Sequence, residues 1–284
     1  MPCKHLCIVG LGMIGGSLAG ALKKHQFSGH ISALVRRDSV GERGLQLGII
    51  DSYATKAADT IPKADVIMLA VPMLSMRAQM QAIVGHVSAE TVITDAGSVK
   101  APFIDDAMSV FDDMSRVVPG HPIAGREKTG VDAADSSLYE NRRVLLTPTA
   151  QTNPECVKQV TRLWEFVGAN VESLAPEHHD RVLAATSHLP HVLAYALVDT
   201  LATQQEAEEI FRYAAGGFRD FSRIASSDPV MWRDVCLSNR KAVLQSMDNL
   251  DVHIKALRAA IEAEDADALE ATFRRAKTAR DQFT

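Results

Sequence analysis

Residues 6–22 read LCIVGLGMIGGSLAGAL, and this stretch decides the fold. Leu6 to Val9 is a short apolar run that suits a buried strand; Gly10 ends it, and small apolar residues at Leu18, Ala19, Ala21 and Leu22 follow with helical spacing. Between the two, Gly10, Gly12 and Gly15 meet the pattern G-x-G-x-x-G, with Met13 and Ile14 inside it. Each glycine answers a separate need. Gly10 permits a tight turn, Gly12 lets the backbone approach a pyrophosphate, and Gly15 lets the helix press on the strand, while the first helical turn offers unpaired N–H groups to an anion. The glycine pattern alone is weak, but at a strand-to-helix junction it predicts a dinucleotide site made by Gly10, Gly12, Met13, Ile14 and Gly15.

Downstream, apolar runs and helical stretches alternate. A second strand over Ile31 to Val35 runs into Arg36, Arg37 and Asp38, where an NAD site usually carries a carboxylate. A guanidinium pairs with a ribose 2′-phosphate that a carboxylate would repel, so Arg36 and Arg37 predict NADP; NAD is the alternative, with Asp38 reaching the ribose. Asp65 to Val71 is continuously apolar and stops at Pro72, Leu74 to Val84 is helical, and Thr91 to Asp95 and Arg116 to Val118 are further strands. This alternation predicts a doubly wound, Rossmann-type α/β domain over residues 1–150, closed by Val144 to Thr147. Ligands of such sheets bind outside the carboxyl ends of the strands, so Val71, Pro72, Ser98 and His121 are expected around one crevice. Pro148 and the polar 149–154 read as a linker to an all-α domain over 151–284, interrupted only by a strand-like Asn170 to Leu174. There Glu177 to Leu201 has the spacing of a long helix that Pro190 should end or kink, and Asn239 to Phe283 is largely long amphipathic helix.

Composition narrows the function classes. With 284 residues, 46% hydrophobic and 23% charged, the chain fits a two-domain globular protein. A net charge of −5 and no basic run argue against nucleic acid or an acidic membrane surface as partner, and no apolar run approaches a membrane span. Cys3, Cys7, Cys156 and Cys236 lack the paired spacing of a zinc site and read as reduced thiols; no metal is expected, and the location expected is cytoplasmic.

The second informative stretch is VPGHPIAGREKTG at 118–130, with two Pro and three Gly in thirteen residues. That composition excludes a helix or central strand and predicts that His121 sits on a rigid, turned loop. Further on, Arg219 and Arg223 stand four apart, so on a helix they share a face suited to a carboxylate, unless they pair with Asp220, Asp228 or Asp234. His188 precedes Leu-Pro at the expected helix interruption, which can aim it into a cleft; a core role fits His191 better.

Together, GLGMIGGS at 10–17, DAGSVK at 95–100, GHPIAGREKTG at 120–130, SHLPH at 187–191 and GGFRDFSRIASSDPVMWRD at 216–234 closely resemble the prephenate and arogenate (cyclohexadienyl) dehydrogenases. The resemblance spans nearly the whole chain and is to the short, monofunctional form. It implies oxidative decarboxylation of prephenate or arogenate with hydride transfer to NAD(P), in tyrosine biosynthesis. It implies His121 as base, Ser98 as a bridge between the substrate hydroxyl, the histidine and the nicotinamide, and Arg223, with Arg219 secondary, as the carboxylate anchor. His188 and Arg126 are further substrate-side candidates, Arg126 being a departure from the family pattern. A homodimer through the helical domain is expected, and feedback by tyrosine fits the chemistry. Two rival classes are a β-hydroxyacid dehydrogenase or imine reductase, which would place a catalytic Lys or Asp on the first long interdomain helix, and a non-catalytic nicotinamide sensor.

Overall fold

The computed structural model describes residues 2–282, so Phe283 lies outside the described residues. Strands β1 (His5–Val9), β2 (His30–Leu34), β3 (Ser52–Ala54), β4 (Val66–Leu69), β5 (Val92–Asp95) and β6 (Val117–Val118) form one parallel sheet in the order β3-β2-β1-β4-β5-β6. The helices between them are α1 (Met13–Lys24), α2 (Asp38–Gln46), α3 (Ala57–Thr60), α4 (Met76–Ile83) and α5 (Ala101–Val110). The unbroken apolar runs of β1 and β4 follow from burial on both faces: Leu6 and Ile8 face one core, with Leu18 and Leu22 of α1, while Cys7 and Val9 face another, with Met76 and Phe103. Strand order reverses between β1 and β4, which opens a crevice beyond their carboxyl ends. This is the doubly wound domain expected from the sequence.

The stretch around His121 departs from the loop expected. Gly120–Pro122 form β7, antiparallel to β8 (Arg143–Leu146), which pairs in parallel with β9 (Asn170–Ser173). β7 is the edge of this three-stranded sheet, and an edge is where Pro122, lacking an N–H, can be accommodated. The expected boundary at residue 150 also falls inside a packed unit. Helix α6 (Pro154–Phe166) buries Cys156, Val160, Leu163 and Trp164 in the same core as Leu6 and Leu18, and β9 completes the small sheet, so the N-terminal unit runs on to about residue 174.

The remainder is helical: α7 (Pro176–Leu183), α8 (Leu189–Ala202), α9 (Ala207–Arg212), α10 (Gly216–Ser222), α11 (Pro229–Ser238), α12 (Arg240–Glu262) and α13 (Ala266–Asp281). Between α7 and α8 the chain makes a π turn over Ala184–His188, and Pro190 sits in the first turn of α8, where its missing N–H costs little. The proline therefore re-aims the long helix instead of ending it. Trp232 and Val235 of α11 join the core that contains Met73 and Met76, which fixes the helical unit over the carboxyl edge of the parallel sheet. No helix among the described residues is long and apolar enough to cross a membrane.

Candidate active site

The glycine turn has the geometry a dinucleotide requires. Gly10 has φ +95°, and a Cβ there would stand 2.6 Å from the Ala70 carbonyl oxygen and 2.6 Å from Val71 Cγ1; one on Gly15 would stand 2.4 Å from the Gly10 oxygen. Gly12 is different: nothing lies within 4 Å of its missing Cβ, and as N-cap of α1 it leaves the helix without a side-chain cap. Open space in front of uncapped N–H groups suits a pyrophosphate. Arg36 and Arg37 are exposed just past β2, while the Asp38 carboxylate accepts a hydrogen bond from the Tyr53 hydroxyl. Met13, Ile14, Val71 and Pro72 flank this turn as the crevice requires, each partly exposed.

Beside it lies a buried polar cluster. His121 is 9% exposed, and its Nδ1 lies 2.9 Å from His179 Nε2. His179 is wholly buried, and its Nδ1 lies 2.8 Å from Asp180 Oδ1. The same carboxylate accepts the backbone N–H of Lys100 at 2.8 Å and that of Ala101 at 2.9 Å, thereby capping α5. Burial, reinforced by His179, Lys100 and His188, holds the His121 imidazole well below the usual histidine range, so it is neutral at pH 7. Burial pushes the Asp180 carboxyl up, but hydrogen bonds from His179, Lys100 and Ala101 outweigh it and hold the group below the ordinary carboxylate range.

A second buried node ties the two candidate catalytic segments together. Asp95 and Lys100 form a salt bridge with fully buried side chains. Asp95 accepts the Gly97 N–H at 2.8 Å and the Gly120 N–H at 3.0 Å, and Lys100 Nζ donates to the Gly120 carbonyl at 2.7 Å. Burial pushes the Asp95 carboxyl up and the Lys100 ammonium down; their contact and the backbone hydrogen bonds oppose both effects. Ser98, half-buried one residue beyond Gly97, is thus held near His121. It does not cap α5, since Lys100 occupies the cap position and Asp180 takes the free N–H groups.

The substrate-side candidates separate. His188 is 1% exposed, its Nδ1 is 3.1 Å from Asn239 Nδ2, and its Nε2 has no partner among the described residues. Since an amide NH₂ donates, Nδ1 is the acceptor and the proton sits on the unpartnered Nε2. Burial lowers this imidazole to a pKa of about 4. His191, assigned to the core from sequence, is only half-buried: it stacks on Trp232 at 3.5 Å and lies within electrostatic range of Arg223 and Glu127. Arg219 on α10 is exposed, and Arg223 opens the 3₁₀ turn after it, paired with Glu127 from the His121 segment. Two of the three anticipated partners are occupied elsewhere: Asp228 caps α11 and Asp234 pairs with Arg233. Arg126 is held in an ion pair with Asp135, on a polar cavity of about 490 Å³ also lined by Ser137, Glu140 and Asn141.

Sequence reasoning missed His179, Asp180, Asn239 and the roles of Asp95, Lys100 and Glu127. The one available signal was the buried face of α7, where His179 and Asp180 share a side with Leu183, which is costly for polar groups without partners.

Comparison with known proteins places this geometry. The nucleotide-binding domain of prephenate dehydrogenase matches residues 18–173, and the dimerization domain of prephenate dehydrogenase matches residues 175–275. A cyclohexadienyl dehydrogenase of Zymomonas mobilis is 36% identical over 281 residues, covering 98% of this chain and 95% of its own length. The structure of prephenate dehydrogenase from A. aeolicus, in complex with hydroxyphenyl propionate and NAD+, agrees with a TM-score of 0.92 at 38% identity, covering 99% and 98% of the two chains. Synechocystis arogenate dehydrogenase agrees at 0.83 with 26% identity, covering 99% and 100%. A 3-hydroxyisobutyrate dehydrogenase from Salmonella typhimurium, at 0.59 and 14% identity over 91% and 94% of the chains, shares the fold alone. With matches that run through both structural units in order, this chain belongs to the prephenate dehydrogenase family of oxidoreductases.

Proposed function

We propose that this chain oxidatively decarboxylates prephenate, arogenate or both, giving 4-hydroxyphenylpyruvate or tyrosine, with His121 as the base and Ser98 beside it. The observation that carries the assignment is the His121 ring: neutral by burial, one nitrogen engaged by His179, the other left for a substrate proton. The nicotinamide supplies the hydride acceptor. His121 takes the ring hydroxyl proton as hydride leaves the carbon that bears that hydroxyl; carbon dioxide then departs, the electrons of its bond to the ring aromatise it to a phenolate, and the proton held on His121 returns to the phenolate oxygen. Ser98 donates to or accepts from that hydroxyl at the strand end. Arg223 anchors a carboxylate by exchanging its Glu127 partner for substrate, with Arg219 behind it and the free His188 Nε2–H as a further donor.

Gly10, Gly12, Met13, Ile14 and Gly15 hold the pyrophosphate, with Val71 and Pro72 against the nicotinamide half. NADP is the cofactor, because Asp38 is engaged by Tyr53 while Arg36 and Arg37 stand free to meet a 2′-phosphate. The protein works as a homodimer through its helical unit, where Leu237, Leu244, Ile254 and Ile261 are exposed. It works in the cytoplasm, consistent with four unpaired cysteines. Tyrosine, sharing the product's ring, competes for the same cleft. Initial rates with prephenate and arogenate, each with NADP and NAD, test the assignment: turnover of at least one substrate with NADP favoured in kcat/KM supports it, and turnover of neither contradicts it. Inhibition by tyrosine and the mass of the native protein in solution test the remaining points.

A further inference from the structure

We infer that His179 and Asp180 are positioning residues that set the tautomer of His121 and stabilise its protonated form; this rests on His121 being the base. The hydrogen-bond chain fixes proton positions one after another. Ionised Asp180 can only accept, so the His179 proton sits on Nδ1, 2.8 Å away. His179 Nε2 is then an acceptor, and His121 must donate to it from Nδ1 across 2.9 Å. Only His121 Nε2 is left with a free lone pair, the form a base requires. When that nitrogen takes a proton, the imidazolium keeps its Nδ1–H on His179, and the Asp180 charge two links away offsets the new positive charge. The charged and titratable groups around His121 are His179, Lys100 and His188; Lys100 is committed to Asp95, and His179 links the His121 ring by hydrogen bonds to the Asp180 carboxylate.

The relay is held from two sides. Asp180 caps α5, two residues beyond Ser98, so one carboxylate orients His179 and anchors the Ser98 segment. Asn239, at the junction of α11 and α12, donates to the Asp180 backbone carbonyl at 2.8 Å. His179 and Asp180 belong to the helical unit and His121 to the nucleotide-binding unit, so the base is set up correctly only when the two units are docked.

The test is ¹⁵N NMR of the full chain with labelled histidine, alongside kinetics. The wild type should show His121 and His179 both protonated on Nδ1. In Asp180→Ala, which removes the acceptor that fixes the His179 proton on Nδ1, His121 should no longer be held in its Nδ1–H form and its Nε2–H tautomer should appear; kcat should fall about a hundredfold or more while KM for substrate and cofactor stay within about threefold. Asp180→Glu should recover part of kcat. His179→Phe, which keeps the helix cap, should lose kcat to a similar degree with unchanged cofactor affinity. An Nε2–H tautomer for His121 in the wild type, or near-wild-type kcat in His179→Phe, would overturn the inference. The tautomer is read without substrate, so it decides the relay even if the chain turned over neither prephenate nor arogenate.

Discussion

The Lys100 ammonium and the Asp95 carboxylate meet with no exposed side-chain surface, where the segments bearing Ser98 and His121 come together. Two charges taken from water are held by each other and by the backbone of Gly97 and Gly120. Removing one partner leaves the other buried and uncompensated. Lys100→Met should therefore cost about 3–5 kcal/mol in denaturant unfolding, and the double variant Lys100→Met/Asp95→Asn should recover part of that loss.

Acid should destabilise the fold before it titrates most carboxylates. His188, buried, has its pKa lowered from 6.5 to about 4, and His121 is lowered in the same sense. The unfolded chain thus binds more protons than the folded one between those values. Stability is complete above pH 6.5 and falls as pH drops toward 4, by about 1.4 kcal/mol per pH unit for each such histidine. Denaturation midpoints across pH 4–8 should show that slope, reduced in His188→Gln.

The glycines of the turn should divide by role. Gly15→Ala places a methyl 2.4 Å from the Gly10 oxygen, so it should lower both melting temperature and cofactor affinity. Gly12→Val has room in the protein itself but fills the space in front of the α1 N-terminus. It should weaken dinucleotide binding about tenfold or more, by titration calorimetry, with little change in melting temperature.

Arg223 and Arg126 should behave oppositely. Arg223 pairs with Glu127 on the His121 segment, so Arg223→Ala should raise substrate KM about tenfold or more with little effect on cofactor binding. Arg126 is committed to Asp135, and Arg126→Ala should leave KM within about twofold. Steady-state kinetics on both variants checks the contrast.

Much of the molecule was legible in the chain because local rules there agree with the tertiary result. The glycine turn, the doubly buried β1 and β4 and the strand-end position of Ser98 follow from spacing and periodicity. His121 lies on an edge strand where a loop was expected, because a proline-bounded strand of three residues gives no period to read. That α6 and β9 pack with the parallel-sheet unit was not legible, since an amphipathic helix does not say which core it covers. His179, Asp180 and Asn239 were invisible for a related reason. Their meaning lies in contacts across 51 to 80 residues of sequence, which no local pattern encodes.

The most direct measurement is turnover by His121→Asn beside its cofactor affinity. The asparagine keeps a polar side chain beside His179 but cannot take the proton at the position of Nε2. Turnover of prephenate and arogenate should fall by about 10²–10⁴-fold while NADP affinity stays within about threefold. Near-normal turnover in that variant, with the fold intact, would contradict the account.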